Sequence, residues 1–129
     1  MKADVKAEWV AALRSGDYKQ GKSYLHRAIA APAGETYCCL GVLSELAYRK
    51  GVVDRRLGPD GTLFVYGEES TGLLPPEVAT WAGLDDNSWP STVMLNGYVS
   101  PRNENHSLVG LNDDGRPFSE IADIIEEYL

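Results

Sequence analysis

The sequence predicts a single α+β domain over residues 1–129, with about four helices around a buried central helix and a small antiparallel sheet at one side. Three observations lead there. Apolar residues recur at helical spacing in four separate stretches. The run Thr62-Leu63-Phe64-Val65-Tyr66, which follows the turn Gly58-Pro59-Asp60-Gly61, is rich in strand formers. Finally, 129 residues with 43% hydrophobic and 24% charged side chains make the composition of one globular domain, and no repeat or linker divides them.

Residues 3–15 form the first helix. Val5, Trp9 and Ala12/Leu13 share a face, and Gly16 stands where a C-terminal cap belongs. From Asp17 to Thr36 the pattern is irregular, broken by Gly21, Pro32 and Gly34, and Tyr24 to Ala31 fits either a short helix or a strand. The central helix runs from about Tyr37 to Lys50. Leu40, Leu43 and Leu46/Ala47 form its stripe, Cys39 and Val42 widen it, and Arg49 and Lys50 complement the C-terminal dipole before Gly51. Residues 52–66 read as a hairpin. A short helix follows within Leu73 to Leu84, where Pro76 suits a first helical position, Val78 and Trp81 share a face, and Gly83 ends it. Residues 85–110 are polar and turn-rich, with 92–95 and 107–109 as candidate short strands. Asn112-Asp113-Asp114-Gly115 reads as a turn before the last helix, about Phe118 to Tyr128, striped by Phe118, Ile121, Ile124/Ile125 and Tyr128.

Charge is distributed unevenly. The net charge is −7, yet residues 14–56 carry a balance of +4 and residues 57–129 a balance of −11. An acidic whole argues against broad, sequence-independent nucleic-acid binding, which needs a contiguous positive footprint. No run approaches the ~20 apolar residues of a membrane span, and the N-terminus mixes both charge signs without an apolar signal core, so a cytoplasmic protein is expected. The adjacent Cys38 and Cys39 cannot close a long loop as a disulfide and are read as free thiols.

Several blocks resemble small accessory proteins of tailed bacteriophages and prophages. They are Trp9 to Gln20, Tyr37 to Leu43, Leu74-Pro75 to Leu84, and Leu111-Asn112-Asp113-Asp114-Gly115 followed by Phe118 to Glu126, together about half the chain. Pro117 departs from the pattern, standing where a small N-capping residue such as Ser is expected. The resemblance implies a phage origin and a role in host takeover or counter-defence, and it carries no established chemistry.

Read residue by residue, a thiol enzyme is one option. Cys38 and Cys39 open a helix whose dipole favours thiolate, and His106 and Asn112 complete the chain order Cys, His, Asn of papain-like hydrolases. The apolar surroundings favour core cysteines instead. Metal-ligand spacing is missing around Cys38, Cys39, His26 and His106, and there is no Walker or dinucleotide-binding glycine motif, so no cofactor is expected.

What remains is a segment in which cations alternate with aromatics: Arg14, Tyr18, Lys19, Lys22, Tyr24, His26 and Arg27. The expectation is a non-enzymatic binding protein that holds a small anionic, nucleotide-like ligand on Arg14, Tyr18, Lys19, Lys22, Tyr24 and Arg27, helped by Arg55 and Arg56. The alternatives are an acidic inhibitor presenting Asp85, Asp86, Glu104, Glu126 and Glu127 to a basic host protein, and a hydrolase built on Cys39 and His106.

Overall fold

In a computed structural model of the chain, the residues described are 1–30, 34–84, 93–95, 97–102 and 106–129. Among them the order is α1 (Ala3–Arg14), β1 (His26–Ala30), β2 (Gly34–Tyr37), α2 (Cys39–Arg49), β3 (Arg55–Leu57), β4 (Phe64–Tyr66), α3 (Pro76–Ala82), α4 (Leu108–Asp113) and α5 (Phe118–Tyr128). The α+β class is as expected.

Helix α2 is the centre. Nine successive residues from Cys39 to Ala47 are buried, so this helix has hardly any solvent face, and α1, α3, α4 and β2 all pack on it. Its first turn is capped by a thiol: the Cys38 Sγ accepts from the Gly41 N–H at 3.4 Å. Gly41 is required by contact rather than by its backbone angles. A Cβ there would lie 1.7 Å from the Leu25 carbonyl oxygen, so the chain entering β1 rests directly on the helix backbone. Trp9 of α1 is fully buried and its indole N–H donates to the Cys39 carbonyl at 3.0 Å. Helix α5 buries Phe118, Ile121, Ala122, Ile124 and Ile125 and packs along α1. Pro117 takes the N-cap position without a side-chain bond, and the helix still begins at Phe118.

Three expectations need correction. Of the two alternatives for residues 24–31 the strand is the one formed, and it pairs with residues expected to be irregular or helical, His26 standing opposite Tyr37 and Arg27 opposite Thr36. Tyr37 therefore ends a strand, and the helix starts two residues later. Its N–H donates to the Lys19 carbonyl at 2.8 Å and its carbonyl accepts from Gly21 N–H at 2.7 Å, so residues 19–21 line the other side of β2. The single sheet is instead two two-stranded ladders, β1–β2 and β3–β4, joined by an Arg27–Leu63 bridge and an Ala28 N–H to Thr62 carbonyl bond of 2.8 Å.

The third correction concerns residues 107–113. Position 92 lies outside the described residues, but Met94 bridges Ser107. Helix α4 then starts at once, where a strand and a turn were expected. The Ser107 hydroxyl caps it by accepting from Gly110 N–H at 3.1 Å, and Leu108, Leu111 and Asn112 are buried.

Candidate functional site

Among the described residues, the members of the basic-aromatic segment have separate partners. Arg14 is tied to α5: its Nη2 donates to Asp123 at 2.6 Å and to Glu126 at 2.8 Å, so part of the positive segment neutralises part of the acidic half. Tyr18 packs edge-on against Tyr37, with ring centroids 5.0 Å apart, and the Arg49 guanidinium lies 5.8 Å from the Tyr18 ring centroid. Burial raises the Tyr18 pKa and pushes that of Tyr37 up to about 12. Lys19 and Lys22 are exposed and make no ion pair among the described residues. Tyr24 is exposed too, with the Arg27 guanidinium 5.9 Å from its ring centroid. Arg56 donates to the Gly67 and Glu68 carbonyls at 2.8 and 2.6 Å, pinning a turn.

Both cysteines are buried and free. Burial pushes the Cys38 thiol up to about 11 and the Cys39 thiol well above its ordinary value. The Cys39 Sγ lies 3.6 Å from the Leu108 carbonyl, fully buried, whereas His106 is exposed. Asn112 has a different task from that of a catalytic amide. Its Oδ1 accepts from Cys39 N–H at 3.2 Å and Gln20 Nε2 at 2.9 Å, and its Nδ2 donates to the Gly21 carbonyl at 2.8 Å. It thus ties α4, α2 and the strand-like residues 19–21 together. No group of three or more His, Cys, Asp or Glu among the described residues could hold a metal ion, and no helix among them is long and apolar enough to cross a membrane.

A polar cluster lies where the two hairpins meet α2. Glu45, with a side chain 4% exposed, accepts from Arg55 Nη1 at 2.7 and 2.8 Å, from Arg49 Nε at 3.4 Å and from the Tyr66 hydroxyl at 2.8 Å. The Arg55 guanidinium sits between the Tyr48 and Phe64 rings, 4.2 and 4.7 Å from their centroids. His26, fully buried, stacks between Tyr37 and Phe64 and reaches Tyr66 through Nδ1 and Glu35 through Nε2. Burial, the largest influence, lowers the His26 pKa, and Glu35 and Glu45 oppose it. The sequence held a signal for this cluster. Glu45 is a lone carboxylate in an otherwise apolar helical run, and a buried carboxylate requires partners.

Among the described residues, exposed carboxylates gather around the turn after β4. Asp85, Asp86 and Glu104 lie outside the described residues, Glu126 is paired with Arg14, and Glu127 is exposed. Residues 66–70 form a tight turn closed by Tyr66–Ser70 bonds of 2.9 and 3.1 Å, which holds Glu68 and Glu69 outward beside Glu77 in the first turn of α3. These three carboxylates wall a concavity of about 350 Å³ with Leu73, Leu74 and Pro76 against them. Leu73 is 51% exposed, a large apolar side chain left open to solvent. Glu68 and Glu77 also line a neighbouring concavity of about 470 Å³ with Asp54 and Arg56. Gly67, at φ +67°, brings the turn so close to Glu77 that a Cβ would stand 2.9 Å from its Oε2. Asp54, Glu68, Glu69 and Glu77 have no ion-pair partner among the described residues.

No curated protein matches the chain, and no solved structure does. The family described as a domain of unknown function (DUF8296) matches residues 1–129. The chain, end to end, belongs to that family.

Proposed function

We propose that the protein acts by binding rather than by catalysis, and that the groove between the Tyr66–Ser70 turn and α3 takes a basic segment of a partner protein. One observation carries this reading: carboxylates of Glu68, Glu69 and Glu77, without ion-pair partners among the described residues, stand around an apolar surface that includes the half-exposed Leu73. A lysine or arginine side chain suits such a place, because its methylenes cover apolar surface while its head meets carboxylates. The volume falls within the ~300–1,000 Å³ of ligand-binding clefts. With the resemblance to phage accessory proteins, the setting we propose is the host cytoplasm and the partner a host protein held or blocked there.

A second reading keeps the anionic ligand, because Arg27 over Tyr24 with Lys19 and Lys22, which make no ion pair among the described residues, is a surface that can stack a base and meet phosphate. Thermal-shift and calorimetric titrations with short Lys/Arg-rich peptides and with a panel of nucleotides distinguish the two. Groove binding predicts a peptide-dependent rise in Tm that weakens with salt and disappears in a Glu68→Gln/Glu69→Gln/Glu77→Gln variant. A rise caused by nucleotides alone, abolished by replacing Lys19, Lys22 and Arg27 with Gln, establishes the second reading and refutes the first.

A further inference from the structure

Three short hydrogen bonds run in line from the surface to the core: Glu35 Oε1 to His26 Nε2 at 2.7 Å, His26 Nδ1 to the Tyr66 hydroxyl at 2.9 Å, and that hydroxyl to Glu45 Oε1 at 2.8 Å. Each needs one hydrogen. The two ends are carboxylates, which only accept when ionised, so every hydrogen must come from His26 and Tyr66. The tyrosine supplies one. A neutral imidazole supplies one more, and an imidazolium two. The line is therefore complete with His26 charged and one hydrogen short with it neutral.

Burial decides which bond fails. Glu45 is held by Arg55 and Arg49 as well as Tyr66 and is nearly inaccessible. Two oxygens at 2.8 Å there without a hydrogen between them would leave buried acceptors unpaired. The Glu35 side chain is 55% exposed and can turn to water. We propose that His26 is a proton-operated latch on the β1–β2 hairpin: the imidazolium grips Glu35 and ties β2 through Tyr66 to Glu45 in the core, and the neutral ring, as its Nδ1–H tautomer, keeps Tyr66 and lets Glu35 go. The proton is taken up at Nε2 from solvent by way of the exposed Glu35 and returns the same way.

The groups facing the ring define the range in which it works. Glu35 on β2 and Glu45 on α2 favour its charge, Arg55 on β3 opposes it, and the stack between Tyr37 of β2 and Phe64 of β4, beside Tyr66, removes water. Burial is the largest of these influences, so the latch is open at neutral pH and closes in mild acid.

Nuclear magnetic resonance on the full chain tests this, following the His26 ring nitrogens and the Glu35 side-chain carboxyl carbon between about pH 4 and 8, the range in which an imidazole near its ordinary pKa titrates. The expected result is an Nδ1–H tautomer at the upper end, protonation of Nε2 on acidification, and a Glu35 signal that moves with the same midpoint. In Glu35→Gln, at an exposed site, the amide N–H can donate to the neutral Nε2 and complete the line without the extra proton. The midpoint should then fall, with roughly tenfold weaker proton affinity. An Nε2–H tautomer at high pH, a Glu35 signal that moves independently of the ring, or an unchanged midpoint in Glu35→Gln would each overturn the latch.

Discussion

Replacing Asn112 by Ala removes one side chain that connects three parts of the chain. Its amide is fully buried and makes bonds of 2.8 Å to the Gly21 carbonyl, 3.2 Å from Cys39 N–H and 2.9 Å from Gln20 Nε2. Gln20 keeps a second acceptor, the Arg116 carbonyl at 2.7 Å, so it is compensated in part. Cys39 N–H is not, because it belongs to the first turn of α2 and has no acceptor within the helix. The Gly21 carbonyl likewise loses its side-chain donor. Two groups left unpaired, one buried and one partly buried, at about 1–3 kcal/mol each, give an expected loss of about 2–6 kcal/mol. For a chain of this size that corresponds to a Tm lowered by about 10 °C or more.

Urea unfolding of the parent and of Asn112→Ala measures the loss directly, provided that the denaturant slope is unchanged. Asn112→Asp adds a discriminating control. It keeps the acceptor for Cys39 but sets an oxygen against the Gly21 carbonyl and a charge beside Asp113, so it should not rescue stability. A loss below about 1 kcal/mol in Asn112→Ala would refute the assignment of Asn112 as the tie between α4 and α2.

Other perturbations test other parts of the fold. Ile121→Ala, at a fully buried site, should cost about 2–5 kcal/mol in the same assay, and truncation before Phe118 should leave a protein that aggregates or melts. Gly41→Ala forces a methyl group onto the Leu25 carbonyl, so it should destabilise by more than the ~1–3 kcal/mol of ordinary overpacking, and a neutral effect would show that β1 does not rest on α2. Both cysteines should react slowly with a water-soluble alkylating reagent until the protein is denatured, whereas rapid native labelling of Cys39 would restore a nucleophile reading. Stability should rise with pH in the window below about 6.5, because the unfolded imidazole of His26 takes up a proton at a pH where the folded one stays neutral. Denaturation midpoints that are flat or falling across that window would contradict the burial of this ring.

The helices were legible because their signal is local. Trp9 and Leu13 in α1, the Leu40/Leu43/Leu46 stripe of α2, Pro76 and Gly83 bounding α3, and the Ile121/Ile125 stripe of α5 each follow from spacing within one segment. The β1–β2 hairpin was not legible in the same way. Its residues are irregular in polarity, and it is defined by its place between residues 19–21 on one side and Thr62–Leu63 on the other. Helix α4 escaped for a related reason, being six residues long with a sequence whose Asn and Asp favour turns, and it is held by what Asn112 reaches.

Charges show the same division most plainly. The chain by itself determined that cations cluster before residue 57 and acids after it. Only the tertiary structure decided which cancel and which remain available. Arg14 meets Asp123 and Glu126 across more than a hundred residues, and Arg55 is drawn inward to Glu45. Glu68, Glu69 and Glu77 are left around an apolar groove. Electrostatic pairing depends on distance in space, which sequence separation does not encode, whereas helical periodicity repeats every 3.6 residues and is written along the chain itself.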